Sequence, residues 1–193
     1  MKIRVVFSAM LLLTCTIVPA QKAPPARGKT TIENLASIDY GRPSLKGRTI
    51  DDMFKQLPSD RVWRAGENQV TILTADRNLL IGKTKIPAGK YSVYVHISEN
   101  GKWSLLLNKN LGIDLVDIFP KAPPQIAHEK WAYYNDYTEK IANQEVARIP
   151  MKSENLSTPI DLFTIELVPD KDGSVLKMSW GDCVASIHVA PAE

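Results

Sequence analysis

The stretch KYSVYVHISENGKWSLLLN, residues 90–108, decides the fold class because apolar and polar residues alternate along its first half and an Asn-Gly pair divides it. Asn100-Gly101 is typical of a type I′ turn, in which both residues have positive φ. Residues 91–98 and 102–108 are therefore predicted to form a β-hairpin. Alternate apolar residues of the first arm share the face expected to line the core: Tyr91, Val93, Val95 and Ile97. The opposite face should be wet or half covered.

Short runs of β-branched and aromatic residues continue on both sides of this hairpin, as expected for strands. They read TIENLASIDY, QVTILTA and LLIG before it, and QEVARIPMK, IDLFTIELVP, SVLKMSW and CVASIHVA after it. Asp172-Gly173 predicts a further turn between the second and third of the later runs. Roughly eight or nine short strands without long helices favour a mainly β fold, an antiparallel β-sandwich. A jelly-roll-like arrangement or a partly closed barrel is the alternative.

One short helix is predicted at TIDDMFKQLP, residues 49–58. Thr49 is a suitable N-cap, Asp51 and Asp52 lie in the first turn where the helix dipole favours carboxylates, and Pro58 ends the helix. Its apolar residues share one face: Ile50, Met53, Phe54 and Leu57. A helix this short is not stable alone, so we expect that face to pack against an end of the β structure.

A long segment at about 110–142 interrupts the strand pattern. It has three prolines in its middle and an aromatic cluster of Trp131, Tyr133, Tyr134 and Tyr137. This composition is too apolar for a linker, so we expect an ordered excursion that folds back over the sheet or one of its ends. Trp and Tyr side chains also stack on sugars and dominate protein interfaces, so ligand or partner binding by this cluster is the alternative to simple covering of the sheet.

The N-terminus predicts export. Two cations precede a continuous apolar run, and small residues follow it, which is the pattern of a signal peptide over residues 1–20 with cleavage after Ala20. The run is too short for a comfortable membrane span, which needs ~20 apolar residues. A second interpretation makes Cys15 a lipid anchor, but Thr14 is bulkier than the residue that usually precedes such a cysteine. The mature protein is expected in the periplasm or outside the cell.

The mature chain is predicted to be a flexible leader, residues 21–30, followed by a single β-rich domain, residues 31–193. The formal net charge of the whole sequence is +3, and removal of the two cations of the signal peptide leaves +1. A nearly neutral chain without a basic run gives no support for nucleic-acid binding. Cys183 is the one cysteine left, so no intramolecular disulfide forms, and its place in an alternating strand predicts a buried, inert thiol.

Recognised catalytic and cofactor signatures are missing from the sequence. The three histidines, His96, His128 and His188, have no second ligand at a zinc spacing, so no metal site is predicted. A G-x-S-x-G elbow, a phosphate loop and a G-x-G-x-x-G stretch are also absent. We therefore predict no cofactor.

Cations and amides instead collect at the ends of apolar runs, and five of them are the candidate ligand-binding residues: Arg42, Arg48, Arg64, Asn68 and Lys109. If those ends converge, guanidinium forks and amides face one cleft that suits a carboxylate, phosphate or polyhydroxy ligand. The alternative is that the arginines pair with Asp39, Glu67 or backbone carbonyls and fasten loops to the sandwich.

The strings DYGRPSLKGR, VWRAGEN, IPAGKYS and WSLLLNK occur in this order and together resemble the secreted bacterial family named domain of unknown function 2911. The resemblance is close over residues 31–109 and looser beyond. It implies an exported β-rich domain and no established reaction. It highlights Arg42, Pro43, Lys46, Gly47, Arg48, Trp63, Arg64, Gly66, Asn68, Pro87, Gly89, Tyr91, Asn108 and Lys109. Two positions depart from the family pattern: Gly41 stands for Ser, and Gln69 for Glu.

Three functional hypotheses remain from the sequence. The first is a non-catalytic domain that binds a small anionic or carbohydrate ligand, or a cell-envelope partner, through the arginine-rich end. The second is a hydrolase or isomerase that uses Glu67 or Asp39 as base, with Arg64 stabilising negative charge. Gln69 counts against this enzyme hypothesis, because the family's Glu is missing there. The third is an interaction protein that uses the aromatic excursion, notably Trp131 or Tyr134.

Overall fold

The computed structural model describes residues 27–133, 135 and 137–193. The strands in chain order are β1 Gly28–Ile32, β2 Ala36–Tyr40, β3 Val62–Trp63, β4 Ile72–Ala75, β5 Leu79–Ile81, β6 Thr84–Ile86, β7 Gly89–Ile97, β8 Trp103–Asn108, β9 Ile113–Asp114, β10 Lys130–Trp131, β11 Glu145–Pro150, β12 Lys152–Asp170 and β13 Gly173–Pro191. The helices are α1 Ile50–Phe54, α2 Leu115–Ile118 and α3 Tyr137–Lys140, and a 3-10 turn spans Ala142–Gln144.

Two antiparallel sheets enclose the main core, which confirms the predicted β-sandwich class. The first sheet has the order β1-β2-β4-β7-β8-β11, with β3 also paired to β7, and the second has the order β12-β13-β5-β6. Both sheets remain open, and β9 pairs with β10 in a separate ribbon. Val93 and Leu105 of the first sheet share one buried cluster with Phe163 and Met178 of the second. Burial of these apolar faces against each other is the main source of stability.

The predicted central hairpin is confirmed, but its turn type is different. β7 pairs with β8 in the register Val93↔Leu107. Gly101 has φ 74°, whereas Asn100 is not among the residues of positive φ. Ser98 O accepts from Gly101 N at 2.9 Å, and Ser98 N donates to Lys102 O at 2.9 Å. The type I′ prediction is therefore wrong: the loop has three residues, with glycine in the left-handed position.

The excursion covers the outer face of this hairpin, as the sequence predicts. Tyr94 and Leu106 are fully buried on that face. They pack in a second apolar cluster with Ala132, Tyr137 and Ile141 of the excursion. Ser92 on the same face is buried as well, whereas His96 and Ser98 farther along it are partly exposed, so the face is half covered, which is one of the two predicted alternatives. Tyr134 lies outside the described residues.

The sequence predicts four C-terminal strands, but the structure has three, because the last two of the predicted runs form one continuous strand. SVLKMSW and CVASIHVA are both part of β13, which bends at Gly181, where φ is 60°. Backbone of this left-handed conformation is accessible to glycine at little cost, so the strand turns without ending. β12 likewise starts at Lys152 and passes through register shifts between Asn155 and Thr164.

Helix α1 has the predicted cap. Thr49 Oγ1 accepts from Asp52 N at 3.2 Å, and Asp52 Oδ2 accepts from Thr49 N at 3.0 Å, which completes a capping box. The helix itself ends at Phe54, earlier than Pro58. Its Ile50 is buried and meets Gly181 of β13, where an added Cβ would lie 2.9 Å from Ile50 Cβ.

Strand β1 starts at Gly28, inside the segment predicted as a flexible leader, residues 21–30. β1 pairs with β2, and Arg27 Nε donates to Asp39 Oδ1 at 2.6 Å. The predicted signal peptide and Cys15 lie outside the described residues. Within the described residues, no helix has the length and apolar character needed to cross a bilayer.

Candidate functional site

The motif VWRAGEN forms one wall of a cleft of about 210 Å3 at the end of the sandwich next to α1. The second wall is the turn after β2, and the third is α1 with the residues that follow it. The cleft, here called the arginine cleft, is lined by Pro43, Ser44, Lys46, Arg48, Met53, Gln56, Leu57, Pro58, Val62, Trp63, Arg64, Gly66, Glu67 and Trp180.

Aromatic stacking builds the floor of the arginine cleft. The rings of Trp63 and Trp180 stack with centroids 5.0 Å apart and planes at 12°. Trp63 also meets the Phe163 ring edge-on at 4.7 Å. Trp180 Nε1 donates to Asp161 O at 3.1 Å, which fixes the orientation of the floor. Trp63 therefore anchors the motif to the core of the second sheet, while it remains half-buried toward the cleft.

Positive charge dominates the walls: Lys46, Arg48 and Arg64 face a single carboxylate, Glu67, among the lining residues. Arg48 Nε donates to Leu45 O at 2.9 Å and Nη2 to Ser44 O at 3.4 Å. These bonds use two of its five N–H groups and hold an exposed guanidinium at the rim. A guanidinium oriented in this way suits bidentate contact with a carboxylate or phosphate.

The backbone around the arginine cleft adopts the left-handed conformation at four residues other than glycine: Lys46, Arg61, Ala65 and Asn68, with φ between 47° and 59°. Such residues each cost on the order of 1 kcal/mol and collect at functional sites. The motif also packs tightly on Gly41, where an added Cβ would lie 2.2 Å from Glu67 O. Gly41 is thus required by this loop, which explains why Ser is absent there.

The five predicted ligand residues separate into two groups. Arg48 and Arg64 line the arginine cleft, whereas the other three are not among its lining residues. Arg42 is fastened to β12, with Nη2 donating to Thr164 Oγ1 at 3.2 Å. Lys109 lies over the Tyr91 ring, with Nζ 4.1 Å from the centroid. Asn68 contributes its left-handed backbone to the turn of the motif.

The two carboxylates of the enzyme hypothesis also separate. Glu67 is half-buried and lines the same cleft as Arg64. Asp39 pairs with Arg27 on the first sheet and is not a lining residue. Of the two candidate bases, the structure brings only Glu67 together with Arg64.

Gln69, the departure from the family pattern, lies outside the arginine cleft. Its Oε1 accepts from Arg27 Nη1 at 2.9 Å, and its Nε2 donates to Glu129 Oε2 at 2.8 Å. An amide is suited to this place because it accepts from a cation and donates to an anion at once. Gln69 therefore has a structural role outside the arginine cleft, and the missing carboxylate at position 69 does not count against catalysis inside it.

Some residues of the arginine cleft were not singled out in the sequence. Trp180 lies more than a hundred positions after Trp63, and nothing local to SVLKMSW marks it as part of a site. Met53 and Leu57 come from α1 and the turn after it, where their spacing indicated only a packing face, and Gln56 carried no signal. Lys46, inside the KGR motif, was highlighted by the family resemblance but was not among the five candidate ligand residues.

The histidines His96 and His128 lie outside the arginine cleft. Burial lowers the pKa of His96, and the nearby Arg148 and Arg61 lower it further, so the ring is neutral at physiological pH. His128 Nδ1 lies 3.1 Å from Asp114 Oδ2 on the surface. Within the described part of the chain, no three His, Cys, Asp or Glu side chains are grouped as metal ligands would be.

Comparison with known proteins agrees with the motifs. A family model described as "Protein of unknown function (DUF2911)" matches residues 23–189. The match covers both sheets, the arginine cleft and the excursion, well beyond the segment of closest resemblance. No curated protein and no solved structure matches the chain.

Proposed function

The chain belongs to the DUF2911 family, whose description assigns no reaction, and we propose that it is an exported, non-catalytic domain that binds a small anionic ligand in the arginine cleft. One observation carries this proposal: three cations, Lys46, Arg48 and Arg64, line a cleft with one carboxylate. Cations gathered in a concave site attract and orient an anion more strongly than the same charges on a flat surface.

The size and floor of the cleft narrow the ligand class. A volume of about 210 Å3 suits a compound no larger than a sugar acid or an amino acid. Trp63 offers an apolar face against which a flat or saturated ring can pack, and the guanidinium of Arg48 meets a carboxylate or phosphate in two bonds. A sugar acid or a phosphorylated sugar combines both features, so the carbohydrate and anion hypotheses merge in this cleft.

The strained backbone supports the same assignment. Lys46 and Ala65 are not residues that favour positive φ, and both belong to segments that form the cleft walls. Left-handed backbone at residues other than glycine is strained, and such strain collects at binding and active sites. A binding site formed by Lys46 and by Arg64, the neighbour of Ala65, is consistent with it.

A hydrolase or isomerase remains the second candidate, and it is favoured by one observation: Glu67 and Arg64 share the cleft. A carboxylate base beside a guanidinium is a workable pair for proton abstraction next to an anionic group. Glu67→Gln distinguishes the two candidates. An enzyme loses turnover and keeps binding, whereas a binding domain keeps its affinity and shows no turnover in either form.

The proposal is tested by a thermal-shift screen of carboxylates, sugar acids and phosphorylated sugars, followed by calorimetry on the best compound. Arg64→Ala and Arg48→Ala should each weaken binding by about tenfold or more and keep the free energy of unfolding within ~1 kcal/mol. Arg48→Lys keeps the charge and loses the fork, so it should recover part of the affinity.

Lys109→Ala is the matched control, because Lys109 is an exposed cation outside the cleft. The affinity of the Lys109→Ala variant for the anionic ligand should equal that of the wild type. Equal loss of binding in Lys109→Ala and Arg64→Ala would reduce the effect to net charge and contradict a specific site. Loss of folding in Arg64→Ala and Arg48→Ala would assign both arginines to the scaffold.

Export is part of the proposal and has its own test. Expression of the whole chain in a bacterial host should give a periplasmic or extracellular product whose first residue is Gln21. A product that keeps residues 1–20, or one that is acylated at Cys15, contradicts the proposed processing. Cross-linking in this compartment tests for a cell-envelope partner.

A further inference from the structure

The excursion carries an apolar cavity that the proposed function does not use. It has a volume of about 560 Å3 and lies outside the arginine cleft. Its walls include Leu115, Phe119, Pro120, Pro123, Ile126 and Trp131. Cavities of ~300–1,000 Å3 with apolar and aromatic walls are typical of small-molecule sites.

The cavity is preformed, because the loop that surrounds it is held by its own backbone. Val116 N donates to Ala127 O at 2.9 Å, and Leu115 N donates to Glu129 O at 3.0 Å, so the two sides of the loop are joined. Phe119 O accepts from Ala122 N at 2.8 Å across the proline turn. Prolines remove backbone freedom before any ligand arrives, which lowers the entropic cost of binding.

Exposed apolar groups concentrate at this loop. Among the described residues, five large hydrophobic side chains are exposed, and three of them are Leu111, Ile118 and Phe119. Phe119 is 57% exposed although a rigid turn holds it at the cavity. A large aromatic side chain that a rigid turn holds exposed beside an apolar cavity is more typical of a binding site than of a packing defect.

One charge accompanies the apolar walls. Lys121 is the sole ionisable residue among the lining residues, and it is exposed at the cavity. A ligand that satisfies both features has an apolar body that fills the cavity and a single anionic group that reaches the ammonium. We infer that this cavity binds a single-chain acyl carboxylate, with Phe119 and Trp131 against the chain and Lys121 at the carboxylate.

Two other occupants fit the observations less well. A membrane surface would be attracted by an excess of cations, but Asp117 and Lys121 flank Phe119 with opposite charges. A second copy of the chain would need a broad complementary face, whereas the apolar groove here is formed by one short segment, residues 115–131. Binding to a membrane surface and self-association of the chain are therefore both included as outcomes of the test below.

The test is calorimetric titration of the whole mature protein with dodecanoate below its micelle concentration. One molecule should bind per chain, and Phe119→Ser should weaken binding by about tenfold or more, since a wall of the cavity is lost. Ile118→Ser is the matched control, because Ile118 is the exposed neighbour that does not line the cavity. Ile118→Ser should bind dodecanoate with the affinity of the wild type, and so should Arg64→Ala, which changes the separate arginine cleft.

The carboxylate is tested with dodecanol, which has the same chain without the charge. Lys121→Glu should weaken dodecanoate binding several-fold and leave dodecanol binding unchanged. Quenching of Trp131 by a bromine-labelled chain, lost in Trp131→Phe, locates the ligand. Equal effects of Phe119→Ser and Ile118→Ser would overturn the inference, as would binding to phosphatidylglycerol vesicles or self-association without binding of monomeric dodecanoate.

Discussion

Cys183 shows how the immediate surroundings of one residue set its chemistry. Burial raises the pKa of its thiol to about 11, and the carboxylate of Asp182 adds to the effect because it disfavours a second negative charge. At pH 8 the thiolate is then on the order of one part in a thousand of the thiol, so the nucleophilic form is scarce. The sequence analysis predicts a buried, inert thiol: the raised pKa is consistent with an inert thiol, but Cys183 is half-buried and not buried.

We predict that Cys183 of the folded protein reacts with a disulfide reagent at pH 8 at least ~100 times more slowly than in denaturant. Between pH 9 and about 11 the thiol of the folded protein keeps its proton, whereas the thiol of the unfolded chain has lost it. The free energy of unfolding should therefore decline as the pH rises through this range. Reaction rates with and without urea measure the first effect. A thiol that reacts equally fast in both conditions would contradict it.

Gln69 is the residue at which a departure from the family pattern acquires a physical reason. Its amide joins Arg27 to Glu129, so the N-terminal strand, the VWRAGENQ motif and the excursion are linked through one side chain. A glutamate at position 69 would place two carboxylates in contact.

Gln69→Glu should therefore lower the free energy of unfolding by ~1 kcal/mol at pH 7, although it strengthens the contact with Arg27. The additional change Glu129→Gln should recover most of the loss, because the pair is again one amide and one acid. Urea unfolding of both single variants and the double variant measures the coupling. Additive effects would show that positions 69 and 129 do not interact.

At the scale of the element, α1 joins the fold to the arginine cleft. Its capping box orients the first turn, its Ile50 packs on Gly181 of β13, and its Met53 lines the cleft. A helix of five residues has no stability of its own, so the cap and this packing determine whether it forms.

Thr49→Ala should cost ~1 kcal/mol of stability, since Asp52 N loses its acceptor. Anion binding in the cleft should weaken in parallel, because the helical wall is less well held. Thr158→Ala, at an exposed threonine of β12, is the control and should change neither. Normal affinity in a destabilised Thr49→Ala variant would separate the helix from the site.

The same cap predicts a pH dependence. The hydrogen bonds from Thr49 to the carboxylate hold the pKa of Asp52 below its usual value. The carboxylate therefore stabilises the folded state at neutral pH, and this contribution is lost as the pH falls through the lowered pKa. The difference in stability between the wild type and Thr49→Ala should become smaller in acid.

At the scale of the whole molecule, a buried polar network fastens the excursion to the first sheet. Asn108 Nδ2 donates to Ile141 O at 2.7 Å and to Tyr137 Oη at 3.2 Å, and Tyr137 Oη donates to Glu145 Oε2 at 2.9 Å. Burial raises the pKa of Tyr137, so its hydroxyl stays protonated and can donate. Asn108 of the family motif is thus a structural residue, fully buried at the end of β8.

Tyr137→Phe should cost about 1–2 kcal/mol, because the fully buried Asn108 loses an acceptor and the half-buried Glu145 loses a donor. The excursion should open more often than the sheets do, so limited proteolysis should cut first within residues 110–142. Hydrogen exchange measures the same opening without cleavage. Tyr133→Phe, at a half-buried ring of the same segment, is the control. Equal protection of this segment from hydrogen exchange in Tyr137→Phe and in the wild type would contradict a role of the buried polar network in holding the excursion.

Local patterns in the sequence determined the elements. Alternation along residues 91–97 placed Val93 in the core, and Thr49 with Asp52 marked the start of α1, because periodicity and capping depend on residues within one turn or strand of each other. The same patterns indicated a covering excursion, since large apolar side chains must be buried somewhere. The type I′ turn was predicted wrongly, because the dipeptide Asn-Gly does not specify how many residues the loop contains.

Tertiary structure alone decided the site. Arg48 and Arg42 are six residues apart, yet the first lines the arginine cleft and the second is fastened to β12. Trp180 of β13 stacks on Trp63 of β3 because the second sheet packs against the first across the shared core. Which strand ends converge depends on pairings between residues far apart in the chain, and no local periodicity records them. The sequence by itself therefore determined a β-rich domain with cations at its strand ends, and packing of the two sheets decided which of those cations share one cleft.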